Sequence, residues 1–122
     1  MKKLHVKKMY PYASWRGPEN NQPSFNLFAR GVAGVLYPPG CLHDTVLDDE
    51  LFLRLVPTGD DIWFKAMALM NETKTVSVYE QNKDFPAIPG YQDRALWKIN
   101  EDVIDKQIKT VFDYFKLYGL IE

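Results

Sequence analysis

The sequence is poor in cysteine: Cys41 is the single one in 122 residues. One thiol forms no internal disulfide and builds no cysteine-based zinc site. It fits a reducing compartment, so a cytoplasmic location is the expectation. Neither charge is in excess, since 15 Lys and Arg stand against 16 Asp and Glu, a net charge of −1. Without a basic patch there is no electrostatic footprint for nucleic acid. The one basic cluster, Lys2, Lys3, Lys7 and Lys8, reads as a solvated terminal arm rather than a membrane contact. No apolar run approaches the roughly 20 residues of a spanning helix, and no apolar core follows the basic start as in a signal peptide. Internal repeats and low-complexity segments are lacking too.

What is present is globular: 46% of residues are hydrophobic and 14% aromatic, enough for a core. The chain reads as a single domain, or a fragment of one, in three stretches. Residues 1–26 hold an N-terminal strand within Met1–Met9 and an irregular loop, Tyr10–Phe25, whose Tyr10, Tyr12 and Trp15 are candidates for stacking on a sugar or anchoring the loop. Residues 27–80 form the central part. There Val35–Tyr37 reads as a buried strand after Gly31 and Gly34, stopped by Pro38-Pro39-Gly40. Asp48 is the expected N-cap of a short helix through Leu55, and Thr75–Tyr79 alternates as a strand. Residues 81–122 hold a loop, Gln81–Tyr91, and an amphipathic helix capped by Asn100. Its apolar positions are Val103, Ile104, Ile108, Val111, Phe112, Phe115 and Tyr118, and Gly119 is the expected C′ glycine. The fold class expected is α/β: a small mixed sheet from strands near Leu4, Val35 and Val76, a buried central helix and the C-terminal amphipathic helix.

The most informative stretch is Val56–Met70, V-P-T-G-D-D-I-W-F-K-A-M-A-L-M. Pro57 and Gly59 make a turn, Thr58 is the expected N-cap, and Asp61 falls three residues later as in a capping box. From Ile62 to Met70 only Lys65 interrupts an apolar run, so this helix is buried. Asp60 and Asp61 thus lie where a loop enters the core, at a helix N-terminus whose free N–H groups and positive dipole end favour carboxylates. Acids there are ordinary as capping groups. One cap needs one side chain, however, and the second carboxylate is left as a candidate general base. His43, beside Asp44, is either a site residue or a half-exposed turn residue with Asp44 or Thr45 as the cap.

Three motifs taken together, G-V-A-G-V-L-Y-P-P-G at Gly31–Gly40, D-E-L-F at Asp49–Phe52 and T-G-D-D-I-W-F-K-A-M-A-L at Thr58–Leu69, resemble the C-terminal, acceptor-side half of GT-A type glycosyltransferases, notably the small bacterial sugar transferases of polysaccharide synthesis. The resemblance implies that Asp61 is the base that deprotonates the acceptor hydroxyl and that Asp60 binds acceptor hydroxyls. The segment from Gly31 to Gly34 would line the donor sugar or the acceptor; Tyr37 and Trp63 are further candidate substrate contacts, and His43, which has no counterpart in the family pattern, is a candidate acceptor contact. Such enzymes carry a D-x-D motif in a nucleotide-binding half, where it holds Mg or Mn on the donor diphosphate. No Asp-x-Asp occurs here. The resemblance therefore implies no cofactor bound by this chain itself, no transfer by it alone, a sugar acceptor as ligand, and a donor-binding half or a second copy of the chain as partner. The alternative is a non-catalytic carbohydrate-binding or protein-interaction module. A metal-dependent hydrolase built on Asp60, Asp61 and His43 is the weakest reading, because adjacent acids at a helix start point apart.

Overall fold

The computed structural model describes residues 2–3, 21–31, 34–78 and 101–121. The expectations for Leu4, Tyr10, Tyr12, Trp15, the Gln81–Tyr91 loop and the Asn100 cap lie outside those residues.

Three helices carry the architecture: α1 (Asp49–Leu55), α2 (Asp60–Met70) and α3 (Glu101–Phe115). Helix α1 begins as its sequence requires. The Asp48 side chain accepts from the Leu51 N–H at 3.1 Å, and Asp49 and Glu50 occupy the first turn, satisfying an orphan donor and complementing the dipole. Helix α2 is the axis of the core. Ile62, Trp63, Ala66, Met67 and Leu69 are all buried, and α3 contributes Ile108, Val111 and Phe112 against them, joined by Phe28, Leu55, Val56, Leu117 and Ile121. Leu51 and Phe52 pack at the margin of this core. On α3 the solvent face carries a Lys109–Asp113 ion pair one turn apart, and Val103, expected on the apolar face, is 39% exposed instead.

The expected mixed sheet is not what the described residues form. Their strand structure is a two-residue antiparallel pairing of β1 (Lys2–Lys3) with β2 (Leu27–Phe28), Lys2 opposite Phe28 and Lys3 opposite Leu27. An isolated bridge joins Ser24 to Thr75, with N–H to carbonyl distances of 2.8 and 3.0 Å. Of the expected strand Thr75–Tyr79, the described residues 75–78 yield one bridge, and Val78 is 83% exposed. Val35–Tyr37 is likewise no buried strand: Leu36 is 88% exposed. Gly34 before it (φ 86°) and Gly40 after it (φ 80°) lie in the left-handed region, and Pro38 and Pro39 supply no N–H, so no ladder can run through the segment. The segment ends in a β-turn closed by the Cys41 N–H on the Pro38 carbonyl, 3.2 Å, with proline second and a positive-φ glycine third. Asn71 Nδ2 (2.6 Å to the Gly40 carbonyl) and Thr73 Oγ1 (2.7 Å to the Cys41 carbonyl) tie this turn to the end of α2.

Two helix ends also differ from expectation. Gly59, not Thr58, is the N-cap of α2, with no side-chain capping bond. At the other end of the chain Lys116, not Gly119, takes the left-handed position after α3 (φ 56°), and Leu117–Leu120 continue as a 3-10 turn. That turn sends Leu117 and Ile121 into the core, and their burial fixes where α3 stops.

Candidate functional site

Asp60 and Asp61 open α2 on its solvent side. The Asp60 Oδ1 accepts from the Asp61 N–H at 2.9 Å, the local bond of an acid in a first helical turn. Asp61 reaches across to the loop before it in sequence, and both its oxygens lie 3.1 Å from the Gly31 nitrogen. A Cβ at residue 31 would stand 3.0 Å from Asp61 Oδ1, so a larger residue there would make the carboxylate shift by a few tenths of an ångström. Gly34 supports this loop from behind, its N–H donating to the Gly31 carbonyl at 2.9 Å.

The surroundings hold the Asp61 carboxyl above the usual carboxylate range. Partial burial is the main cause and the Asp60 charge adds to it, while the Gly31 bond and the Arg30 charge act in the opposite direction. Tyr37 lies on the same side of α2, its ring 5.3 Å from that of Phe64. Its phenol is pushed up to about 12, first by burial, then by the charges of Asp61, Asp60 and Cys41. It is therefore a protonated hydroxyl near neutral pH, able to donate. Gly31, Gly34, Tyr37, Asp60 and Asp61 thus come together as one group.

The other two expected site residues stand elsewhere. Trp63, two positions beyond Asp61 and so on the opposite side of the helix, is 2% exposed. Its indole N–H donates to the Val46 carbonyl at 3.3 Å, and its ring lies between Phe52 and Phe115 at 5.6 and 6.0 Å. This is a core anchor, closed to a sugar. His43 meets α2 further along, where its N–H donates to the Met67 carbonyl at 3.1 Å, roughly 9 Å of helix rise from Asp61. His43 itself, rather than Asp44 or Thr45, caps the Asp44–Leu47 3-10 turn: its Nδ1 accepts from the Thr45 N–H at 3.2 Å.

Two further polar side chains are buried. Lys65 is 5% exposed and its Nζ has no hydrogen-bond partner among the described residues; burial pushes its ammonium down to about 7. The sequence signal was a single charge inside an apolar run. Gln107, buried on α3, pairs with Thr58 in the turn that launches α2, and nothing local in the sequence marks it. The divalent cation that the resemblance associates with a donor diphosphate finds no group of three ligating side chains among the described residues. Comparison of the chain with family models, curated proteins and solved structures finds no match.

Chemically, the group offers a carboxylate of raised basicity beside a hydroxyl donor. The single Gly31 N–H is shared between two oxygens, which leaves lone pairs on both for another donor. Among the described helices none is long and apolar enough to cross a membrane.

Proposed function

We propose that the chain acts as the acceptor-side half of a GT-A-like glycosyl transfer system, with Asp61 as general base. The acceptor hydroxyl donates to Asp61, loses its proton to it, and attacks the anomeric carbon of a sugar whose nucleotide leaves. Asp60 and Tyr37 hold neighbouring hydroxyls, and Gly31 keeps the base aimed. The observation that carries the reading is the Asp61–Gly31 contact, which draws together the acidic pair, the glycine loop and Tyr37, three features that the family resemblance links. A base of raised pKa is also closer to the working pH, where general-base efficiency is greatest. The D-x-D-bearing half that binds the nucleotide sugar must be supplied from outside these 122 residues. The test is complementation: the chain is mixed with a GT-A donor-binding half, a nucleotide sugar and an acceptor library. Transfer that needs both components and is lost in Asp61→Asn supports the reading. Equal rates for the two chains would remove Asp61 from the chemistry.

A second reading has one observation in its favour. The hydrogen bonds that Asp60 and Asp61 make among the described residues end on main-chain amides, as those of plain capping acids do. Under it the chain is a non-catalytic carbohydrate-binding or interaction module. Asp61→Asn would then cost only a cap's worth of stability, about 0.5–2 kcal/mol, and sugar binding measured by calorimetry would not change.

A further inference from the structure

The turn that launches α2 is held from a distance. Gly59 gives the helix no side-chain cap, and Thr58, the expected cap, has its hydroxyl engaged elsewhere. Gln107 Oε1 accepts from the Thr58 N–H at 3.2 Å and from its Oγ1 at 3.3 Å, while Gln107 Nε2 donates to that same Oγ1 at 3.1 Å. A hydroxyl is one donor and an acceptor at once, so the pair is reciprocal. Gln107 is 7% exposed, and a side chain of this polarity is buried only where its amide is satisfied. Gly59 lies close to the same amide: a Cβ at residue 59 would stand 3.4 Å from Gln107 Oε1, an ordinary van der Waals distance. Residues 57–59 are therefore fixed to α3, and Asp60 and Asp61 follow at once.

The acidic pair is consequently set by two contacts: the Gly31 amide at the carboxylate and the Gln107 amide at the turn that launches the helix. We propose that Gln107 is a positioning residue for Asp61, transmitting the placement of α3 to the carboxylate through Thr58. It touches neither substrate nor reacting atoms. An ordinary interhelical hydrogen bond would add stability and nothing more. A positioning bond must also govern whether the Asp61 carboxylate meets Gly31. The relevance to sugar transfer rests on the reading of Asp61 as base, but the test does not: it follows the Asp61–Gly31 bond, and a failed transfer assay would leave its result standing.

The experiment is a pH titration of the isotopically labelled full chain by NMR. It follows the Gly31 amide proton, whose displacement reports its bond to the carboxylate, and the Asp61 carboxyl carbon. The variants are Gln107→Met, which keeps the length and removes the amide, Thr58→Val, which removes the hydroxyl, and Thr58→Ser, which restores it. In Gln107→Met the Gly31 amide is expected to lose the larger part of its pH-dependent displacement and the Asp61 midpoint to move. Thr58→Val loses a smaller part, because the residue 58 N–H still reaches Gln107, and Thr58→Ser matches the unmodified chain. Thr58 is exposed, so its variants keep the fold even where Gln107→Met does not. A Thr58→Val chain whose Gly31 amide and Asp61 midpoint are both unchanged, with only the melting temperature lowered, overturns the proposal, as does a folded Gln107→Met with an unchanged titration.

Discussion

The carboxylate of Asp61 grips the amide of Gly31, thirty residues earlier in the chain, with each of its two oxygens 3.1 Å from the nitrogen. The contact closes the loop that carries Gly34 and Tyr37 onto the start of α2. Gly31→Ala tests it directly, because the added methyl would meet Oδ1 at 3.0 Å and the carboxylate would have to withdraw. The expected cost is about 0.5–1.5 kcal/mol, that of one modest hydrogen bond, read as a lower urea midpoint with an unchanged slope.

In the complemented transfer assay Asp61→Asn should lower the rate by about 10²–10⁴-fold, the usual contribution of a positioned base. Activity of the unmodified chain should rise with pH along a limb whose midpoint lies above the ordinary carboxyl value of 3.8, because burial raises Asp61. The stability effect has the opposite sign. A carboxyl raised on folding favours the folded state below its unfolded pKa, and that contribution fades as pH climbs through the folded value. Chemical denaturation across the acid range should therefore show the unmodified chain losing stability relative to Asp61→Asn as pH rises through this window.

Lys65 gives the steepest expected pH dependence near neutrality. Its folded value of about 7 lies below the unfolded 10.5, so between them the unfolded chain binds the extra proton and stability rises with pH. At 1.36 kcal/mol per unit, the gain from pH 7 to pH 9.5 is about 3 kcal/mol. Lys65→Met keeps the volume and removes the titrating group, and should flatten that slope while raising the midpoint at pH 7. A flat profile for the unmodified chain would show that the amine has found a counter-charge.

Lys116 holds a left-handed backbone (φ 56°) at the end of α3, a conformation that costs a side-chain-bearing residue energy and glycine almost nothing. Lys116→Gly should stabilise the chain by about 0.5–1 kcal/mol, visible as a higher melting temperature. Gly119→Ala should do little, since a Cβ at residue 119 meets nothing within 4 Å.

The helices were legible in the sequence because their signals are local. Asp48 before D-E-L-F, the apolar run after Asp61 and the 3.6-residue spacing from Ile104 to Phe115 each state an element within one or two turns. What was misread depended on partners. V-L-Y at 35–37 has strand composition, yet a strand needs a neighbour, and the prolines and left-handed glycines around it deny one. Thr58 had the chemistry of a cap, but Gln107, far away in sequence, takes its hydroxyl. In the candidate site the acidic pair and the glycine loop could be seen as separate features. Their meeting could not. The burial of Trp63 followed from the apolar run Ile62–Met70, and it rules out the substrate contact that was expected of the same residue.

That burial makes Trp63, one of three tryptophans in the chain, a reporter of the core. The indole of Trp63 is shut away from water and bonded to the Val46 carbonyl, so its emission tracks the seam between α1, α3 and the 3-10 turn. Slackening of that seam would redden the emitted light, whereas an occupant at Asp61, round the other side of the helix, would leave the colour as it was. With Trp15 and Trp97 replaced by Phe, so that Trp63 alone emits, unfolding and occupancy can be told apart in one cuvette.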